Sequence, residues 1–162
     1  MDIQEINLAA LLAQEEKLQF TSFSNENALE VGLKLIEGAR ALGKPVSVNI
    51  TRNGQVLFAH AMSGTSLHNA EWIRRKSNIV NRMAHSSFYV HNNIKNRGGD
   101  PDNIPGLDPR EFGAHGGAFP LLLKGTGMIG TITVSGMPSA EDHALVVHVL
   151  TAYIAAQQFK LP

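Results

Sequence analysis

The amino-acid sequence predicts an α/β (α+β) domain in which helices cover an antiparallel sheet of about five strands. Two hairpin patterns predict the sheet, and segments with apolar residues every three to four positions predict the helices. Because a hairpin pairs its two strands antiparallel, the sheet cannot be purely parallel. A chain of 162 residues fits a single domain over 1–162.

The N-terminal quarter of the chain predicts two helices with a short strand between them. Apolar residues recur at helical spacing over 3–16 and again over 24–42. Ser24 or Asn25 can cap the second of these helices. The intervening segment, 17–23, alternates apolar and polar residues, which indicates a strand.

Both hairpins are predicted from alternating strands joined by turn residues. Residues 46–51 and 55–60 alternate at period two around Asn53-Gly54, a dipeptide typical of a type I′ turn. Residues 118–124 and 128–135 form the second pair, and their continuous apolar runs favour central positions in the sheet.

The remaining segments are two helices and a long loop. Periodicity predicts helices over 67–87 and 139–157. Between them, residues 92–117 hold six Gly and three Pro without sustained periodicity. A loop of that length in a compact domain is commonly functional or part of an assembly contact.

Composition excludes several classes of function. Fourteen basic and fourteen acidic residues leave no net charge, which argues against a general nucleic-acid binder. The absence of Cys excludes disulfides and thiolate chemistry. Because the N-terminus lacks a signal-peptide pattern and no apolar run is long enough for a membrane helix, we expect a cytoplasmic protein with no membrane partner.

Seven His residues raise the possibility of a metal site, but no two lie at the i, i+4 spacing of a helical zinc site. A structural or surface role is therefore expected for most of them, and no metal site is predicted. His85 follows the basic helix and His115 precedes two glycines. Either imidazole could approach haem iron or bond to a substrate.

The predicted helix over 67–87 carries a cluster of basic residues, Arg74, Arg75, Lys76 and Arg82, together with the only Trp, Trp72. A solvated helix face is one interpretation of this cluster. In the other, Lys76 or a neighbour turns inward to bind a carboxylate or phosphate, and Lys76 is favoured because it lies near the apolar face.

Two glycine-containing turns offer main-chain groups to a ligand. Gly116 and Gly117 would let a ligand approach the backbone, although a bend that needs positive φ is the favoured explanation from sequence alone. Residues 135–138 resemble a strand-to-helix turn, and the N-terminus of the helix that follows could hold an anion.

Taken together, several motifs resemble those of the haem-degrading-domain family. They are Trp72-Ile73-Arg74-Arg75-Lys76, His115-Gly116-Gly117-Ala118-Phe119-Pro120, and Gly130-Thr131-Ile132-Thr133-Val134-Ser135-Gly136 followed by Asp142. That family includes HbpS, GlcG and the C-terminal domain of PduO-type proteins. The chain is most similar to its cytosolic subgroup of bacteria and fungi. The resemblance implies a profilin-like three-layer α/β/α fold, a homo-oligomer and, in some members, haem or corrinoid-related binding.

Three functions follow as expectations. The first is binding of haem or a related anionic small molecule, with Lys76 or Arg75 pairing its acidic groups and His85 or His115 near its metal. The second is a structural or partner-binding oligomer in which Trp72, with the arginines around it, lies at a subunit interface. The third is an enzyme acting on a small carboxylate or phosphate, which is ranked last because no nucleophile and base pair has a defined spacing.

Overall fold

The computed structural model describes residues 7–159, which form five helices and four strands. The predicted start of the first helix and the end of the tail, residues 1–6 and 160–162, lie outside the described part of the chain. The elements are α1 (Leu8–Lys17), α2 (Asn25–Ala41), β1 (Ser47–Arg52), β2 (Gln55–Ala61), α3 (Leu67–Met83), α4 (Ser87–Asn96), β3 (Ala118–Leu123), β4 (Gly127–Ser135) and α5 (Ser139–Gln158).

The sheet is antiparallel throughout, with the strand order β2-β1-β4-β3. Both predicted hairpins are present. In the first, Asn53 and Gly54 have φ of 49° and 84°, the left-handed values that a type I′ turn requires. The helices α2 and α5 cover one face and α3 covers the other, which produces three layers.

The number of strands is four where about five were expected. The predicted strand over 17–23 is reduced to an isolated parallel bridge between Phe20 and Leu123. Helix α1 extends to Lys17 and Ser24 already caps α2, so few residues remain between the helices. Phe20 is 1% exposed, and core burial of its ring holds this segment in place.

The helix predicted over 67–87 ends four residues earlier, and a second helix begins at Ser87. α3 ends at Met83, and Ala84 adopts a left-handed φ of 60°. Ser86 then caps α4 by accepting a hydrogen bond from the backbone N–H of Tyr89 at 3.1 Å. Ser86 and Ser87 therefore begin a second helix, α4. Its last turn occupies the first residues of the predicted loop.

The rest of the long loop is fastened to α3. The Gly113 N–H donates to the Arg75 carbonyl at 3.1 Å, and the Asn78 side chain donates to the Glu111 carbonyl at 2.8 Å. The loop contributes Ala114 to a small apolar cluster with residues of α3 and α4. These contacts carry His115 to the side of α3.

No helix within residues 7–159 is long and apolar enough to cross a membrane.

Candidate functional site

Lys76 lies on the sheet-facing side of α3 and is 2% exposed. Its Nζ donates to the carbonyls of Gly116 at 3.0 Å and Val134 at 2.6 Å, and to Asp142 Oδ2 at 3.3 Å. Burial lowers the pKa of this ammonium, and the Asp142 carboxylate opposes that effect. An ammonium has three N–H donors, so these contacts use all of them.

Asp142 lies in the first turn of α5 and is also 2% exposed. It accepts hydrogen bonds from the backbone N–H groups of Gly136 at 3.3 Å and Met137 at 3.0 Å. Burial raises the pKa of this carboxyl, whereas Lys76 and the two amides lower it. The pair ties α3, β4 and α5 together. Lys76 does turn inward as predicted, but its anion is a carboxylate of its own chain.

The two glycines before β3 pack against this pair. Gly117 has a φ of 130°, and a Cβ there would collide with the Val134 carbonyl and with Lys76 Nζ. A Cβ on Gly116 would collide with the Ser139 carbonyl. The absence of side chains at both positions therefore lets the protein's own backbone and Lys76 approach, which is a packing role.

Two open cavities matter for the site. One, of about 500 Å³, lies between α3 and the sheet, and a smaller one, of about 310 Å³, borders the ion pair. We call the smaller one the Trp72 pocket. Lys76, Gly116 and Asp142 form part of its wall. The other lining residues come from α3, from the loop before β3 and from the β4–α5 turn: His68, Asn69, Trp72, His115 and residues 135–139.

Trp72 and two histidines form one side of the pocket. The Trp72 Nε1–H donates to His68 Nε2 at 3.0 Å, and the His115 ring meets the indole edge-on at 5.1 Å between centroids. His115 Nε2 pairs with Asp102 at 2.7 Å, a hydrogen bond that lowers the pKa of the Asp102 carboxyl. When Nε2–H donates to a carboxylate, the Nδ1 of a neutral imidazole carries a lone pair.

Arg75 stacks on the same indole, with its guanidinium carbon 4.2 Å from the ring centroid. Its Nε is buried and has no hydrogen-bond partner within residues 7–159. A buried donor without a partner costs free energy unless water or a ligand satisfies it. Arg75 does not itself line the pocket, but it contacts Trp72, which does, and it retains an unpaired donor.

The N-terminus of α5 closes the other side of the pocket. The helix starts at Ser139 after Pro138, and no side chain caps it. The amide N–H groups of a first helical turn are donors at the positive end of the helix dipole. In the turn formed by residues 135–138, however, the Gly136 and Met137 amides already donate to Asp142, so the predicted binding of an anion there stays a prediction.

The predicted site residues are thus partly brought together. Trp72, Lys76, His115 and Gly116 line the pocket, with Arg75 stacked on Trp72 and Gly117 behind Lys76. His85 is elsewhere: its Nδ1 bonds to Glu15 of α1 at 3.1 Å. The two remaining residues of the basic cluster, Arg74 and Arg82, are exposed on α3.

Sequence reasoning assigned no role to His68, Asn69 or Asp102. His68 precedes Trp72 by four residues, a helical spacing that could have indicated their contact. Asp102 lies in the long loop with no pattern that points to His115. Among residues 7–159, no three His, Cys, Asp or Glu side chains are placed to hold a metal ion.

Comparison with known proteins shows the same fold in several solved structures. The Ybr137w protein matches with a TM-score of 0.86 and 27% identity, covering 96% of this chain and 91% of that one. HbpS matches with a TM-score of 0.63 and 21% identity, covering 83% and 91%. A structure described as a PduOC:heme complex matches with a TM-score of 0.67 and 20% identity, covering 82% and 95%.

Sequence comparison shows closer relatives. A UPF0303 protein of Psychromonas ingrahamii is 40% identical over 157 residues, which is 96% of this chain and 98% of the relative. A UPF0303 protein of Streptomyces coelicolor is 40% identical over 147 residues, covering 91% and 93%. The family model described as haem degrading protein HbpS-like matches residues 23–151. The chain therefore belongs to the HbpS-like family of haem-degrading proteins.

Proposed function

We propose that this protein binds haem or a related anionic small molecule in the Trp72 pocket. The observation that carries the proposal is Arg75, a guanidinium with an unpaired buried Nε that stacks at 4.2 Å on the indole lining the pocket. Planar guanidinium groups bind carboxylates and phosphates through parallel hydrogen bonds. Arg75 thus supplies the contact for an acidic group that the sequence analysis assigned to Lys76 or Arg75.

Lys76 contributes to this site through its charge and through the shape of the wall. Its three donors already bind Gly116, Val134 and Asp142. A ligand anion would therefore have to break one of these bonds to reach Nζ. The uncapped N-terminus of α5 lies on the opposite side of the pocket. Its unpaired amides can bind a second acidic group without breaking a hydrogen bond within the protein.

The residues also fit haem. Haem would supply an iron centre together with two carboxylates. His115, held by Asp102 at 2.7 Å, has a second ring nitrogen, Nδ1, with no partner within residues 7–159, and this nitrogen carries a lone pair when Nε2–H donates to the carboxylate. His68 fits less well, because its Nε2 accepts the Trp72 hydrogen bond and the proton of its neutral ring therefore lies on Nδ1. A structure that shares the fold is described as a PduOC:heme complex, which supports haem as a candidate ligand.

The volume of the pocket separates two versions of the proposal. At about 310 Å³ the pocket lies at the lower end of the range for small-molecule sites, about 300–1,000 Å³. A small organic acid fits within this volume, whereas a porphyrin would extend beyond it. We therefore test both ligands.

Hemin titration of the purified protein, followed by absorbance, tests the haem version. We expect a saturable Soret shift that weakens about tenfold, equivalent to roughly 1.4 kcal/mol, in Arg75→Gln and in His115→Ala. His148→Ala is the matched control, because His148 is an exposed histidine of α5 that does not line the pocket. A titration that never saturates would rule out haem.

Thermal unfolding in the presence of small organic acids and phosphates tests the other version. A ligand at a hundred times its dissociation constant stabilises the folded state by about 2.7 kcal/mol. If neither hemin nor any acid raises the melting temperature, the proposed function is wrong. A shift that survives unchanged in Arg75→Gln would place the ligand elsewhere.

We further propose that the protein is a cytoplasmic homo-oligomer. Leu29 and Leu33, on one face of α2, are 45% and 53% exposed, and Val56 of the edge strand β2 is 54% exposed. Exposed apolar side chains beside an unpaired sheet edge are typical of a subunit contact. The predicted interface role of Trp72, Arg74 and Arg82 stays a prediction. Sedimentation at low concentration tests the proposal, and a protein that remains monomeric contradicts it.

A further inference from the structure

A second cavity, of about 500 Å³, lies between α3 and the sheet. We call it the α3 groove. Its polar lining residues include Asn49 and Thr51 of β1, Thr131 of β4, and Ser77, Asn78 and Asn81 of α3. None of them lines the Trp72 pocket, so the two cavities are separate sites.

The sheet face toward α3 is unusually polar for the middle of a domain. Along β1, Val48 and Ile50 pack into the core with α2 and α5, so Asn49 and Thr51 point to the opposite face. Directly across the ladder, Asn49 pairs with Thr133 and Thr51 with Thr131. The Ser77 hydroxyl of α3 is hydrogen-bonded to the Thr133 hydroxyl at 2.8 Å. The remaining polar side chains border the groove.

One buried hydroxyl on this face lacks a protein partner. Ser47 is 4% exposed and borders the groove, and its Oγ is buried without a partner in the described part of the chain. Buried hydroxyls in native proteins are nearly always bonded to protein, water or ligand. Thr131 of β4 also borders the groove and makes no side-chain hydrogen bond to another residue of 7–159. Both hydroxyls are therefore available to water or to a ligand in the groove.

The groove offers both donors and acceptors but no free charge. Arg74 is its one permanently charged lining residue, and its guanidinium is engaged by Glu71 at 3.0 Å and Glu111 at 2.7 Å. Asn49 Oδ1 accepts from Thr51 at 2.6 Å, which leaves the Asn49 amide N–H groups as donors. Apart from Arg74 and the imidazole of His60, the groove is lined by uncharged groups, so it suits a ligand hydroxyl, which can both donate and accept, better than an anion.

We propose that the α3 groove binds a neutral polyhydroxylated small molecule, such as a polyol or a monosaccharide. The volume of the groove falls within the range of ligand sites, about 300–1,000 Å³. Ile73 and three alanines supply apolar surface for the carbon skeleton, while hydroxyl and amide groups on β1, β4 and α3 bind its hydroxyls.

Cysteine protection tests the proposal, because the chain contains no Cys and a single one can be introduced. Ala70 is an exposed residue of α3 that lines the groove, and Ala144 is an exposed residue of α5, on the other side of the sheet. Ala70→Cys and Ala144→Cys are labelled with a maleimide in the presence of myo-inositol, D-ribose or D-glucose, with citrate as an anionic comparison.

We expect a bound polyol to slow labelling of Ala70→Cys by about tenfold at ten times its dissociation constant and to leave Ala144→Cys unchanged. The isosteric change Thr131→Val, made in the Ala70→Cys background, should abolish this protection. A melting curve confirms that the double variant is folded.

Three results would overturn the proposal. In the first, none of the polyols protects Ala70→Cys, or citrate protects it equally. In the second, protection survives Thr131→Val. In the third, Ala70→Cys is unreactive without any probe and becomes reactive when the protein is diluted, which would show that a second copy of the chain covers the groove.

Discussion

Acidification should destabilise this protein through His143, a residue of α5 that is 4% exposed. Its ring stacks on Phe88 at 4.8 Å between centroids, and its Nε2 bonds to Gln14 Oε1 at 2.8 Å. Its Nδ1 is buried and has no partner within residues 7–159. Protonation would place an unpaired charged N–H among aromatic rings, so burial lowers the pKa of His143 from 6.5 to about 4.

The sign and size of the effect follow from the two pKa values. Because the folded-state pKa is the lower one, the unfolded chain binds the proton first. Stability is complete above the unfolded-state pKa of about 6.5 and falls as the pH drops toward the folded-state value of about 4. Between about pH 7 and about pH 5 the loss is about 2 kcal/mol, since each pH unit in that window contributes up to about 1.4 kcal/mol.

Urea unfolding at a series of pH values measures this loss. His143→Phe keeps a flat ring beside Phe88. Over the same pH window we expect its free energy of unfolding to fall by about 2 kcal/mol less than that of the wild type. His148→Phe is the control, because His148 is exposed on the same helix and the change should leave the pH dependence intact. Parallel losses of stability in the wild type and in His143→Phe would contradict the role of His143 in the pH dependence.

Two further predictions concern the buried ion pair and the glycine beside it. Lys76→Met leaves Asp142 without its cation and should lower the free energy of unfolding in urea by about 3–5 kcal/mol. A second change, Asp142→Leu, should restore part of that loss. A loss below about 1 kcal/mol would mean that the pair is not buried as described. Gly117→Ala meets both a left-handed φ and a collision with the Val134 carbonyl, whereas Gly125→Ala, with φ of 78°, meets only open space. Gly117→Ala should therefore lower the melting temperature clearly more than Gly125→Ala, and equal shifts would contradict the packing role assigned to Gly117.

Local features of the sequence were enough to predict the hairpins. Asn53 and Gly54 adopt the positive φ values of a type I′ turn because short-range sterics favour them there, and the strands on either side pair with one register shift, between Ile50 and Thr51. The same holds for the end of α2, where Gly43 adopts a φ of 66°. Such features depend on neighbours a few residues away, so the sequence carries them directly.

Segments whose structure depends on distant neighbours were predicted less well. The segment around Phe20 alternates like a strand, but only Leu123 of β3 is available to pair with it. The pair Ser86-Ser87 was assigned to the end of a helix, and the structure uses it to start α4. Alternation and polar residues are compatible with several local structures, and packing against the rest of the domain selects one of them.

The candidate site shows the same division. Sequence patterns predicted helices on an antiparallel sheet, the family resemblance implied three layers, and the amphipathic helix favoured Lys76 as the residue that turns inward while leaving a solvated face open. That Asp142, 66 residues later, neutralises Lys76 and that the loop carries His115 to Trp72 became visible in the folded domain. Helical and strand periods encode which way a side chain faces, whereas its partner across the domain is set by how the layers pack.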